Sequence, residues 1–232
     1  MKIRIKLSWQ AYLAEFIGTF VFVFVSSGAV LANVFTGDIG VVGISMATGL
    51  ILAAMIYSTT GISGGHLNPA VTLAIWLTEG ISFVNAVFYI CFQLLASISA
   101  AYLLLWIYGQ KSMQFLLGGP IIGADVTVQM AIGLEALMTA ALVFAVFAAF
   151  VDKRGPVSFG PLVVGIIVLT AGIFGGSLTG AALNPARALG PLMVSGVYDS
   201  ILVWVIGPFT GSLAGVLYKY TFLTSSKKSR SQ

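Results

Sequence analysis

Two tripeptides carry most of the chemistry this sequence can do. Asn68-Pro69-Ala70 lies within "SGGHLNPAVT" (Ser63 to Thr72), and Asn184-Pro185-Ala186 within "LTGAALNPARA" (Leu178 to Ala188). Proline disrupts a helix already in progress, but it suits the first helical position, just as asparagine suits the N-cap. The pattern predicts that each tripeptide starts a helix, with Asn68 and Asn184 as N-caps. Each start brings about half a positive charge from the helix dipole, and each asparagine brings an amide that can donate to a passing oxygen. Arg187 adds a fixed positive charge three residues after Asn184. Glu15 and Glu135 sit in otherwise apolar runs, where a carboxylate is a functional candidate by default. A proton relay is one reading of this pair. Their matched placement favours the other, in which they are structural buried acids that accept hydrogen bonds from irregular loop backbone. The single histidine, His66, reads as a hydrogen-bonded strut ahead of a pH sensor. No nucleophile–base pair or metal-ligand spacing stands out, so the chain reads as no enzyme and needs no cofactor or metal.

The chain that must position these groups is 59% hydrophobic and 8% charged, with a mean hydropathy of +1.04. A soluble domain is about a quarter charged, so the fold class is an all-α, polytopic membrane protein. The net charge of +4 is then no sign of nucleic-acid binding. Crossing a bilayer takes about 20 apolar residues, and six stretches qualify: roughly 9–34, 39–60, 83–108, 126–151, 157–176 and 200–222. The first is too long for a signal-peptide core of about 7–15 residues. Two shorter stretches, 68–78 and 184–194, cover roughly half the membrane each at about 1.5 Å per residue. Cys91 is the only cysteine; an intrachain disulfide is impossible, and a lone cysteine in an apolar run predicts a small buried core residue.

Charge placement orients the spans. Lys2, Arg4 and Lys6 precede the first, Lys153 and Arg154 separate the fourth and fifth, and Lys227, Lys228 and Arg230 follow the sixth. Both termini on the cytoplasmic side put all of these inside, with Lys111 and Arg187 on the outer side. The halves also repeat: Glu15 matches Glu135 and Thr19 matches Thr139 at 120 residues, the tripeptides match at 116, and Gln93 matches Pro208 at 115. One transmembrane domain over 1–232 thus divides into a first repeat at 9–110, a second at 126–223 and a basic tail at 224–232. Three spans per half force the second half to run inverted, and inverted repeats with interrupted segments point to a midplane site. There the two helix starts face each other. The small-residue loops before them are tolerated at that depth only if buried or lining a watery cavity. The carbonyls of Gly64, Gly65, His66, Gly180 and Ala182 would line the path, and Gly18, Gly49, Gly165 and Gly211 would permit close helix packing.

With both Asn-Pro-Ala boxes, the run "SGGHLNPAVT", the arginine after the second box and the two span glutamates, the chain resembles the aquaporin, or major intrinsic protein, family from about Glu15 to Tyr218. The resemblance implies six spans plus two half-helices in a right-handed bundle, a homotetramer with one pore per subunit, and an outer selectivity filter at Thr48, Gly172, Ala181 and Arg187. Strict water channels of the family usually carry phenylalanine and histidine at the first two of these positions. Glycerol facilitators carry an aspartate where this chain has Ala188, and aromatics where it has Thr48 and Ala181. The implied function is a passive water channel in the cell membrane, with a wide, histidine-free filter. Small neutral solutes (glycerol, urea, ammonia, hydrogen peroxide) then join water as candidate passengers, while ions and protons are excluded. The competing readings are a solute facilitator with little water role and an inverted-repeat secondary transporter.

Overall fold

The computed structural model describes residues 8–154 and 159–223; Lys2, Arg4, Lys6, Lys227, Lys228 and Arg230, and the tail at 224–232, lie outside them. Among the described residues the structure is helical, without strands. The first repeat holds α1 (Trp9–Thr36), α2 (Gly40–Ser63), the short α3 (Pro69–Leu77) and α4 (Phe83–Tyr108). The second holds α5 (Val128–Val146), α6 (Gly160–Thr179), the short α7 (Pro185–Ser195), α8 (Val203–Gly211) and α9 (Leu213–Tyr218). Side chains cap several starts: Ser8, Ser82 and Thr127 accept from the backbone N–H three residues on, as N-caps do.

The expected sixth span over 200–222 is assembled from pieces. Residues before Val203 form turns, and α8 and α9 meet at Ser212, whose backbone stays helical at φ −60°, ψ −22°. Ser212 donates its hydroxyl to Phe209 O at 2.6 Å, and the Gly215 N–H bonds Ser212 O three residues back, so the joint is a tightened turn rather than a break. Spans four and six each finish in a π-helical turn, at Phe147–Val151 and Lys219–Leu223. These two ends are tied together: Arg154 forks onto Asp152, which also accepts from the Tyr218 hydroxyl at 3.0 Å. Hydrogen bonds from Arg154 hold the Asp152 carboxyl well below the usual carboxylate range.

Packing follows the repeat. The centre of the bundle is the crossing of α2 with α6, where Gly49 and Gly165 oppose each other and a Cβ on either would run into the other's carbonyl. Gly211 lies against α5 at Ala136 and Thr139, and Gly18 against Leu67 of the first loop. Each short helix packs across the repeat boundary: α7 against α4, and α3 against α8 and α9. Leu, Val and Phe side chains from both halves form one buried core. Many outward faces are equally apolar, with Trp106, Leu137 and Phe174 exposed by 60% or more. Such a surface fits hydrocarbon, not water. Cys91 is exposed on α4, against the expectation of a core position. In lipid both the inner and outer faces of a span are apolar, so an apolar run does not distinguish them.

Candidate functional site

Two loops enter the bundle where α2 and α6 end. The chain turns at Gly64 (φ 92°) and Gly180 (φ 76°), and stays left-handed at Gly65 and Ala181 and again at Leu67 and Leu183. These three pairs keep the 116-residue offset of the tripeptides. A left-handed leucine or alanine costs on the order of 1–3 kcal/mol and needs surroundings that hold it.

The buried acids do so. Glu15 Oε1 accepts from Ser63 Oγ (2.6 Å) and His66 N (2.9 Å), and its Oε2 from Leu67 N (2.6 Å) and Gln93 Nε2 (2.8 Å). Glu135 Oε1 accepts from Thr179 Oγ1 (2.7 Å) and Ala182 N (3.0 Å), and its Oε2 from Leu183 N (2.8 Å). Ser63 and Thr179, absent from the sequence reading, play matching parts; their 116-residue spacing was the signal available. Gln93 has no counterpart donor, because Pro208 occupies the matching position. His66 is held by Thr72 Oγ1 at 3.1 Å from its Nδ1 and by an edge contact with the Tyr89 ring.

Both asparagines cap their helices. Asn68 Oδ1 accepts from Ala70 N at 2.8 Å, and Asn184 Oδ1 from Ala186 N at 2.9 Å and Arg187 N at 3.4 Å; Pro69 and Pro185 open the helices. With the oxygens committed, the NH2 groups must point across the molecule. Asn68 Nδ2 donates to Leu183 O at 3.0 Å and Asn184 Nδ2 to Leu67 O at 2.8 Å. These reciprocal bonds stitch the two repeats together. An amide nitrogen has two protons, so each asparagine keeps one for a ligand.

A cavity opens on either side of this junction. The first, called the inner cavity after the orientation that the charge placement predicts, is ≈ 450 Å³ and lined by Gly64, Gly65, His66, Asn68, Thr78 and Lys219 among mostly apolar side chains. Lys219 closes its rim by donating to Thr78 O at 2.7 Å. The outer one, ≈ 290 Å³, gathers Thr48, Gly172, Gly180, Ala181 and Arg187, together with Ser45, a residue the motifs do not mark. Arg187 lines this cavity, is buried, and its Nη1 has no protein partner. Asn184 and Ala182 line neither cavity; the Ala182 N–H is spent on Glu135 and its methyl packs in a cluster with Ala188, Leu192 and Trp204. Behind α7, Ser97 of α4 donates to Ala186 O and accepts from Gly190 N at 3.1 Å, which fixes the second half-helix in place.

Comparison with known proteins gives this geometry a home. The family model described as major intrinsic protein matches residues 2–219. The chain belongs to that family. Aquaporin TIP4-4 of Zea mays is 38% identical over 224 residues, covering 92% of this chain and 87% of that protein. Aquaporin-4 of Rattus norvegicus is 35% identical, over 92% of this chain and 68% of the relative. Among solved structures, the X-ray structure of the aquaglyceroporin from Plasmodium falciparum superposes with a TM-score of 0.79 at 25% identity, covering 92% of this chain and 96% of that one. As a major intrinsic protein the chain is a membrane channel and not an enzyme, built on the aquaporin fold.

Proposed function

We propose that this channel conducts water passively between its two cavities, and that Thr48, Gly172, Ala181 and Arg187 form an outer filter wide enough for glycerol, urea, ammonia and hydrogen peroxide. One observation carries the reading: both Asn68 and Asn184 are locked with oxygen toward their own helix and one amide proton to spare. A water between them turns its oxygen toward two donors, which interrupts the donor chain a proton would need. The dipole ends of α3 and α7 and the Arg187 charge oppose cations in the same place. Homotetrameric assembly, a cell-membrane location and cytoplasmic termini belong to the same proposal. Lys153, Arg154 and Lys219 gather near the inner cavity's end of the bundle, which supports that orientation.

Stopped-flow light scattering on proteoliposomes tests this reading. Fast shrinkage with a low activation energy and no dependence on sodium or proton gradients is expected. Permeability equal to empty liposomes, or dependent on a gradient, would return the transporter reading.

The filter has its own test. Gly172→His with Thr48→Phe should narrow it, and Ser45→Gly is included because a Cβ at 172 would lie 2.6 Å from Ser45 Oγ. Glycerol flux should fall about tenfold or more while water flux falls a few-fold, as expected for steric discrimination. Equal losses would place the constriction elsewhere. Mercuric ions should inhibit weakly, because Ala181 takes the filter position where a cysteine would block and Cys91 lines neither cavity. Strong inhibition abolished by Cys91→Ser would contradict this.

A further inference from the structure

We infer that Ser45 is a specificity-determining residue of the outer filter, its hydroxyl oxygen standing where a side chain at 172 would otherwise be and offering an acceptor to solutes that carry N–H donors, urea above all. The inference rests on the channel reading above. Ser45 lies one helical turn before Thr48 on α2 and lines the same cavity as Thr48, Gly172, Ala181 and Arg187. A Cβ built on Gly172 would come within 2.6 Å of Ser45 Oγ and 3.0 Å of Ser45 Cβ. The serine therefore takes up the room that the glycine leaves.

Hydrogen bonding gives this hydroxyl a direction. A hydroxyl has one proton and two lone pairs. Ser45 donates its proton to Val41 O at 2.7 Å, and Thr48 donates its own to Ile44 O at 2.8 Å. Both oxygens can then only accept from a solute. Arg187 has donors and no acceptors, and it lines the same cavity. One wall of the filter donates and the α2 wall accepts. Urea, with a carbonyl on one side and amide protons on the other, satisfies both walls at once; its carbonyl meets Arg187 and its N–H groups meet Ser45 and Thr48. Ser45 is 2% exposed and Arg187, which lines the same cavity, 5%.

The bland alternative is that Ser45 only packs α2 on α6, as Gly49 does one turn further on. Urea and water permeabilities measured in one proteoliposome preparation separate the two. Ser45→Ala should lower the urea-to-water permeability ratio about threefold to tenfold, the worth of one hydrogen bond. Exchanging the residues, Ser45→Gly with Gly172→Ser, returns a hydroxyl to the space from the opposite helix and should restore most of the ratio. Ser58→Ala, which removes the same kind of hydroxyl-to-backbone bond (to Ala54 O, 2.8 Å) on the exposed face of α2, should leave the ratio alone. An unchanged ratio in Ser45→Ala, equal losses of urea and water, or no recovery in the exchange variant would overturn the inference. So would wild-type protein that passes water but not urea, a result that leaves the channel reading standing. Wild-type protein with no water flux above empty liposomes would overturn both.

Discussion

Replacing Glu135 with leucine should leave the protein without a working pore, with water flux falling to the level of empty liposomes. The carboxylate is wholly buried and accepts from Thr179 Oγ1, Ala182 N and Leu183 N. Leucine would strand these three donors away from water. Each stranded donor costs about 1–3 kcal/mol, so the sum approaches the 5–15 kcal/mol by which whole domains are stable. It falls on a loop that already holds Ala181 and Leu183 in left-handed conformations. Glu135→Gln keeps one acceptor oxygen and should be intermediate. Glu15→Leu should damage the first loop in the same way, since it strands His66 N and Leu67 N, although Gln93 Nε2 keeps Thr72 Oγ1 and Ser63 Oγ keeps Thr59 O. Thermal unfolding in detergent, followed alongside flux, checks this. A leucine variant as stable and as permeable as wild type would show that the loops do not depend on the acids, and would reopen the proton-relay reading.

Arg187→Val should keep water moving and admit cations or protons. The guanidinium is buried beside the outer cavity with Nη1 unpaired. A unit charge about 5 Å from a passing cation, at an effective dielectric of about 20, opposes it by roughly 3 kcal/mol, or about a hundredfold in rate. The dipole ends of α3 and α7 remain in the variant and keep part of the barrier, so the expected gain in current is at least about tenfold. Voltage-clamp recording across a membrane containing the variant measures it. Wild-type current in the variant would mean that the dipoles and the asparagines exclude cations without the arginine.

Much of the site was legible because its signals are local and come twice. The half-helix starts need only an asparagine and a proline in sequence, and the two copies 116 residues apart pointed to a junction between the two halves. Glu15 and Glu135 stood out because a carboxylate is rare in an apolar run. The sixth span was less legible. Hydropathy reads 200–222 as one stretch, but whether a helix tightens at Ser212 depends on how Gly211 and Gly215 nestle against α5, Phe147 and Ala74. Cys91 was misplaced because lipid and protein core are both apolar, so no periodicity tells the outer face of α4 from the inner one.

The sequence by itself determined the class of molecule, the repetition between its halves, and the groups that meet at its middle. Those follow from composition and from residues whose backbone preferences act over three or four positions. Only the tertiary structure decided how the groups are used. Capping commits each asparagine oxygen to its own helix, but the bond from each amide to the opposite loop exists only because α3 and α7 are brought end to end. Ser45 meets Gly172 only because α2 and α6 cross closely at Gly49 and Gly165. Contacts of that kind depend on the rotation of each helix about its axis, which the packing of all the others sets and no single stretch encodes.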